Sequence, residues 1–294
     1  MVGSATTIDR VSVQASDPPQ SPDDPAGVRD DPLAAAIRVV PLVVQTLGAF
    51  RVWRDGVPVL PAAWGRDKAV QLFQFVVTLR RKRLDKEQIV DALWPDLDAA
   101  AGDRDFKVAL NAVQRALEPD RAARAEPRFV RRWGAAYGID LAEAWVDAEA
   151  LEGHVAAGNR LIGGDRDGAA AHYAAAAALY GGDYLPERRY DDWASSEHER
   201  LQVLAFGAMT TLAELLVETN PLESLRLTGH VLATDPVWED AWRIEMRAHA
   251  ARGNRALAIR SWERCVAALE SELGIAPLPQ TRAVYDSVRL GVGA

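Results

Sequence analysis

The stretch Asp103-Arg104-Asp105-Phe106-Lys107-Val108-Ala109-Leu110-Asn111-Ala112-Val113-Gln114-Arg115-Ala116-Leu117 decides how this chain reads. Phe106, Leu110, Val113 and Leu117 recur at helical spacing and make one apolar stripe. Arg104, Val108, Asn111 and Arg115 recur with the same spacing on the opposite side, with Lys107 beside them. A helix of this pattern buries the first row and turns the second outward. The outward row holds residue types that meet base edges. Arg donates twice to guanine, Asn makes two bonds with adenine, and Val packs on a thymine methyl. A helix about 10–12 Å across fits the major groove. A solvated helix face uses the same residue types, so the neighbours of this helix must decide.

Upstream, residues 43–53 are strand-like, Asp55-Gly56 signals a hairpin turn, and residues 57–60 can return. A helix over 67–79 has Ala69, Leu72, Phe73 and Val76 on one face. A second helix starts at Asp85, with Gln88 placed for a capping box, and ends at Pro95. Residues 95–102 read as a loop before the helix over 103–117. Downstream, 128–130 and 137–141 look like short strands joined by a turn over 131–136. Strands, three helices and a hairpin make a winged helix. Its basic residues are suitably spread. Arg131 and Arg132 lie in the hairpin, and Arg66 and Lys68 lie at the first helix N-terminus, where backbone N–H groups favour phosphate. The expected division of labour is base reading by Arg104, Lys107, Val108, Asn111 and Arg115, and phosphate contact by Arg131, Arg132, Arg66 and Lys68.

After Trp145 the pattern is helical throughout, broken at Gly163-Gly164-Asp165 and Gly181-Gly182-Asp183. A long helix is predicted over 195–217. Asn220 aligns with Asn254, Leu225 with Ile259, Leu232 with Val266 and Ala233 with Ala267, all at the 34-residue period of a tetratricopeptide helix pair. A weaker copy runs through Ala169, Tyr173, Ala176 and Tyr180. The expected fold class is therefore mainly α, an α+β winged helix followed by an all-α tetratricopeptide-like domain. The expected bounds are a disordered tail over 1–38, rich in Asp and Pro, a DNA-binding domain over 39–141, and the helical domain over 142–290.

Charge follows these bounds. Residues 1–39 hold three Arg against six Asp, residues 40–141 hold 17 Lys and Arg against 13 Asp and Glu, and residues 142–294 hold 14 against 23. A net charge of −8 over the whole chain thus conceals a basic middle that suits a polyanion. Cys265 is the single cysteine, so no internal disulfide is expected. With no apolar run long enough for a membrane span and no secretory pattern, a cytoplasmic protein is expected. No catalytic set, cofactor motif or metal site stands out. His154, His172, His198, His230 and His249 are scattered along helices, and no phosphate-cradling Gly-rich loop is present.

The segments Leu47-Gly48-Ala49-Phe50-Arg51-Val52, Ile89-Val90-Asp91-Ala92-Leu93-Trp94-Pro95 and Val113-Gln114-Arg115-Ala116-Leu117-Glu118-Pro119 resemble the winged helix of the Streptomyces antibiotic regulatory proteins. Tyr180-Gly181-Gly182-Asp183-Tyr184-Leu185-Pro186, Asp192-Trp193 and Glu272-Leu273-Gly274-Ile275-Ala276-Pro277 resemble the bacterial transcriptional activator domain that follows it there. The resemblance implies binding of double-stranded DNA at promoter direct repeats, recruitment of RNA polymerase, and a homodimer or tandem arrangement on DNA. This sequence differs from the family in Asp103 and Asp105, read as opening the third helix, and in Ala136 before Tyr137. The rival reading is a helical-repeat interaction protein with lost or weakened DNA binding.

Overall fold

Two antiparallel strands, β1 (Leu42–Gln45) and β2 (Arg51–Arg54), replace the single strand expected over 43–53. The chain reverses between them through Gly48, whose φ of +82° disfavours any residue with a Cβ. The computed structural model describes residues 31–291. Most of the tail expected to be disordered lies outside that range. Its last part is instead a helix, α1 (Pro32–Val39), started by Asp31, whose side chain accepts the Leu33 N–H, and by Pro at its first position. Asp55 and Gly56 both take positive φ, as a two-residue type I′ turn requires, and lead into β3 (Val57–Pro58).

The helices of the first half are α2 (Asp67–Thr78), α3 (Lys86–Leu93) and α4 (Ala99–Leu117). The expected capping box of Asp85 and Gln88 starts α3. Helix α4 begins one turn earlier than expected, because Asp98 accepts the Ala101 N–H and caps it. Asp103 and Asp105 therefore lie inside the helix rather than opening it. The wing pairs β5 (Val130–Trp133) with β6 (Ala136–Ile139), and β4 (Leu84–Asp85) joins the far side of β6. Its turn is only Gly134-Ala135, shorter than 131–136. Arg131 and Arg132 consequently sit in the ladder, opposite Gly138 and Tyr137.

The short strand β7 (Ala144–Val146) runs parallel to β1 and completes the first sheet in the order β3-β2-β1-β7. The rest is helical: α5 (Asp147–Leu161), α6 (Arg166–Leu179), α7 (Asp192–Leu216), α8 (Pro221–Thr234), α9 (Glu239–Ala251), α10 (Arg255–Leu273) and α11 (Pro279–Leu290). Asn220 and Asn254, 34 residues apart, take the N-cap positions of α8 and α10, so the sequence repeat is a structural one. Asp165 caps α6 but lies 55 residues before Asn220. Most of the extra length is in α7, with 25 residues against 13 in α9, and most of the rest is a longer connection from α6 to α7, which leaves the repeat and reaches the first sheet.

That excursion joins the two halves. Leu47 forms a β-bridge with Tyr184, the Gly48 N–H donates to Asp183 O (2.9 Å), and the Leu185 N–H donates to Thr46 O (2.8 Å). A Cβ on Gly48 would stand 2.6 Å from Gly181 O, so the sequence Gly181-Gly182 is the surface against which the β1–β2 turn rests. Asp147, buried at the start of α5, accepts from the Thr46 N–H (2.7 Å), the Thr46 hydroxyl (2.5 Å) and the Leu47 N–H (2.8 Å). On the other flank, Arg80 just past α2 is buried among Glu149, Glu152 and Glu197. Phe75 of α2 meets Trp193 of α7 edge-on at 5.5 Å. The apolar core runs continuously through both halves. For this reason α2 buries Gln74, Phe75, Val77 and Thr78 beside the expected Ala69, Leu72, Phe73 and Val76. One side of the helix meets its own domain and the other meets the repeats.

Candidate nucleic-acid interface

Helix α4 is fixed from three sides. Its buried residues are Gly102, Phe106, Ala109, Val113, Ala116 and Leu117. The stripe is turned slightly from the expected one: Ala109 is fully covered and Leu110 only partly, because helical periodicity over the longer helix drifts from a strict i, i+4 row. Phe106 meets Tyr137 of the wing edge-on at 5.1 Å, and Arg54 of β2 donates to Ala116 O (3.1 Å). Helix α4 and the wing are thus packed as one piece.

Arg104, Lys107, Val108, Asn111 and Arg115 all lie exposed on the outer side of α4. Val108 leaves 43% of its surface open. Arg104, Asn111 and Arg115 have no hydrogen-bond or ion-pair partner among the described residues. Lys107 is different. It bonds Asp103 one turn back (2.6 Å), and Lys86 of α3 reaches the same carboxylate (2.8 Å). Bonds from Lys107 and then Lys86 hold the Asp103 carboxyl down at about 2. The charge of Asp103 is thus matched within the protein.

The flanking cations divide in the same way. Arg132 stays exposed on the wing, over the Tyr137 ring, with its Nε donating to Gly134 O (2.5 Å). Arg131 is held by Asp140 (2.8 Å) and lies against Trp133. Arg66 occupies the N-cap of α2 and is exposed. Lys68 points to the end of α3, donating to Leu93 O (2.6 Å) with its ammonium over the Trp94 ring. The sequence reading passed over Arg83. It stacks on Trp133 at 4.5 Å and so braces the wing. No spacing rule could have found it, since fifty residues separate Arg83 from Trp133.

Several features bear on what the chain does. No helix among the described residues is long and apolar enough to cross a membrane. Cys265 is buried, and burial pushes its thiol up to about 12, so it is a packing residue and no thiolate nucleophile. No curated protein matches the chain. Among solved structures, the chain is similar to Mycobacterium tuberculosis EmbR in complex with a low affinity phosphopeptide. The two share a TM-score of 0.72 and 19% identity over 86% of this chain and 66% of that one. This chain therefore spans just under two thirds of that chain's length, and the likeness is one of fold. Residues 146–289 match the family described as the bacterial transcriptional activator domain. That match starts at the last residue of β7, where the first sheet hands over to α5. Just under half of the chain is thus similar to a bacterial transcriptional activator domain, and it follows a part with the fold of a winged helix.

Proposed function

We propose that the protein is a sequence-specific DNA-binding transcriptional regulator of the Streptomyces antibiotic regulatory protein type. In this reading it is an activator that binds direct repeats at promoters and recruits RNA polymerase through its helical half. The carrying observation is the row Arg104, Val108, Asn111 and Arg115, exposed and without polar partners among the described residues, on a helix braced by the wing. The winged helix through residue 141 reads DNA, and the acidic half from residue 142 projects away from it. Arg104, Asn111 and Arg115 contact bases, Val108 covers a thymine methyl, and Lys107 assists while keeping its bond to Asp103. Arg132 and Arg66 are the phosphate contacts, and Arg131, held by Asp140, and Lys68, held by the Leu93 carbonyl, support them.

Selection of bound sequences from a random DNA pool with the full chain tests this reading. A common motif and a salt-dependent shift are expected. Arg115→Ala should weaken the selected site by about 1–3 kcal/mol and relax preference at one position, with unchanged melting because the residue faces away from the core. Unaltered preference in that variant would remove Arg115 from the reading face. Failure of the full chain to shift any DNA, together with capture of a protein partner, would favour the rival interaction-protein reading.

The arrangement on DNA has its own test. A single reading helix covers few base pairs, so useful affinity needs two protomers. Head-to-tail neighbours on one face of the duplex require repeats one turn apart, about 10–10.5 bp or a multiple. Binding should be cooperative on direct repeats at that spacing and drop when half a turn is inserted. Tighter footprints on inverted repeats would establish a two-fold dimer instead.

A further inference from the structure

Arg83 lies in the short connection between α2 and β4, outside every motif of the sequence, yet the fold brings it to the wing. Its guanidinium lies over the Trp133 ring, 4.5 Å from the ring centre. The indole in turn leans across the ladder onto Gly138 of β6. A Cβ at Gly138 would stand 3.3 Å from both Trp133 Cζ3 and the Lys82 carbonyl oxygen, so the bare backbone there makes room for the stack.

Trp133 and Arg132 are neighbours in β5, so their side chains leave opposite faces of the wing. Arg132 shares a face with Tyr137, whose ring meets Phe106 of α4. Arg83 and Trp133 occupy the other face. The wing therefore carries an exposed arginine on each side. Arg131 also lies on the Trp133 face, but Asp140 matches its charge (2.8 Å). The Arg83 guanidinium has no hydrogen-bond or ion-pair partner among the described residues. A guanidinium stacked on an aromatic ring uses only its face. Its N–H groups lie in its plane and stay free, in the fork that fits two phosphate oxygens. Stacking also restricts the long side chain beforehand, so less ordering is left to be lost on contact.

We propose that Arg83 is a phosphate contact for DNA, the counterpart of Arg132 on the opposite face of the wing, with Trp133 as the platform that aims it. A groove of the duplex is bounded by two phosphate chains, and a ribbon entering it meets one on each side. Arg132 takes one chain and Arg83 the other. The inference rests on the DNA-binding reading above and adds to it a residue from outside the hairpin. The contact fixes the register of the wing and carries no sequence information.

The test is titration of the full chain by fluorescence anisotropy, on its selected site and on an unrelated duplex, over a series from about 50 to 200 mM salt. Arg83→Gln and Arg83→Met remove the charge, and Arg83→Lys keeps it. Circular dichroism melts identify the neutral variant that folds as wild type does, on which the result is read. That variant should weaken both duplexes by the same factor and flatten the slope of log affinity against log salt by about 0.9, the share of one phosphate. Combined with Arg132→Gln, the slope should flatten by about 1.8. Arg83→Lys should keep the slope and bind less tightly, since an ammonium has no fork. An unchanged slope in the neutral variant would overturn the contact, whatever the affinity, and would leave Arg83 as a brace for the wing. A loss confined to one base position would overturn it too. Wild type that shifts no duplex would instead sink the DNA-binding reading itself, and this contact with it.

Discussion

Asp147→Ala is expected to destabilise the protein by about 4 kcal/mol, because buried donors at the junction lose their acceptor. Asp147 is 2% exposed and takes the N–H groups of Thr46 and Leu47 and the Thr46 hydroxyl. Thr46 and Leu47 are themselves fully buried, so no water replaces the lost acceptor. Each buried donor left unpaired costs about 1–3 kcal/mol. Burial pushes the Asp147 carboxyl up, and the bonds from Thr46, Leu47 and Ala148 oppose that push. Denaturant unfolding of the full chain measures the loss. A change under about 1 kcal/mol would show that the strand end finds other partners. The consequence follows from position: the bonds tie the end of β1 to the start of α5, so their loss loosens the helical half from the winged helix.

Arg80→Met should cost roughly 3–5 kcal/mol by leaving carboxylates buried without their guanidinium. The Arg80 side chain is 2% exposed and bonds Glu149 (2.9 Å), Glu197 (2.8 Å) and Glu152. Arg81 and Arg200 complete the network from outside, Arg81 on Glu149 (2.8 Å) and Arg200 on Glu197 (2.7 Å). Met keeps much of the aliphatic stem, so the loss is of charge rather than volume. The acid behaviour should change as well. Burial pushes Glu197 up, but Arg200 and Arg80 together hold it below its usual range; Glu149 behaves alike with Arg81 and Arg80. A lowered carboxylate contributes stability above the unfolded-state value of about 4.3, and that contribution is lost as pH falls through the folded-state value. Wild type should therefore lose this increment below about pH 4, while Arg80→Met should show a flatter acid limb. Parallel curves for the two proteins would mean that Arg81 and Arg200 suffice.

Both variants concern the seam between two halves that the sequence presents as separate modules. With the seam intact, a reading helix on DNA would set the position of the activator domain without a flexible hinge.

The amino-acid sequence by itself determined the local elements and the faces they show. The row Arg104, Val108, Asn111 and Arg115 is outward because the intervening apolar residues must be covered, and periodicity alone settles that. The Asp85–Gln88 cap, the Asp55-Gly56 turn and the 34-residue spacing of Asn220 and Asn254 are likewise local chemistry, readable from neighbours along the chain. What only the tertiary structure decided is which of the cations keep their charge available. Lys68 is bound at the end of α3, Arg131 by Asp140 and Lys107 by Asp103, while Arg104 and Arg115 are not so held. It also decided that Gly48 rests on Gly181, that Asp147 serves a strand a hundred residues away, and that His154 meets His172. Hydrophobic period fixes which side of a helix is buried. A hydrogen bond or an ion pair needs two atoms within about 3 Å, and for residues far apart in the chain only the packing of whole elements brings them there.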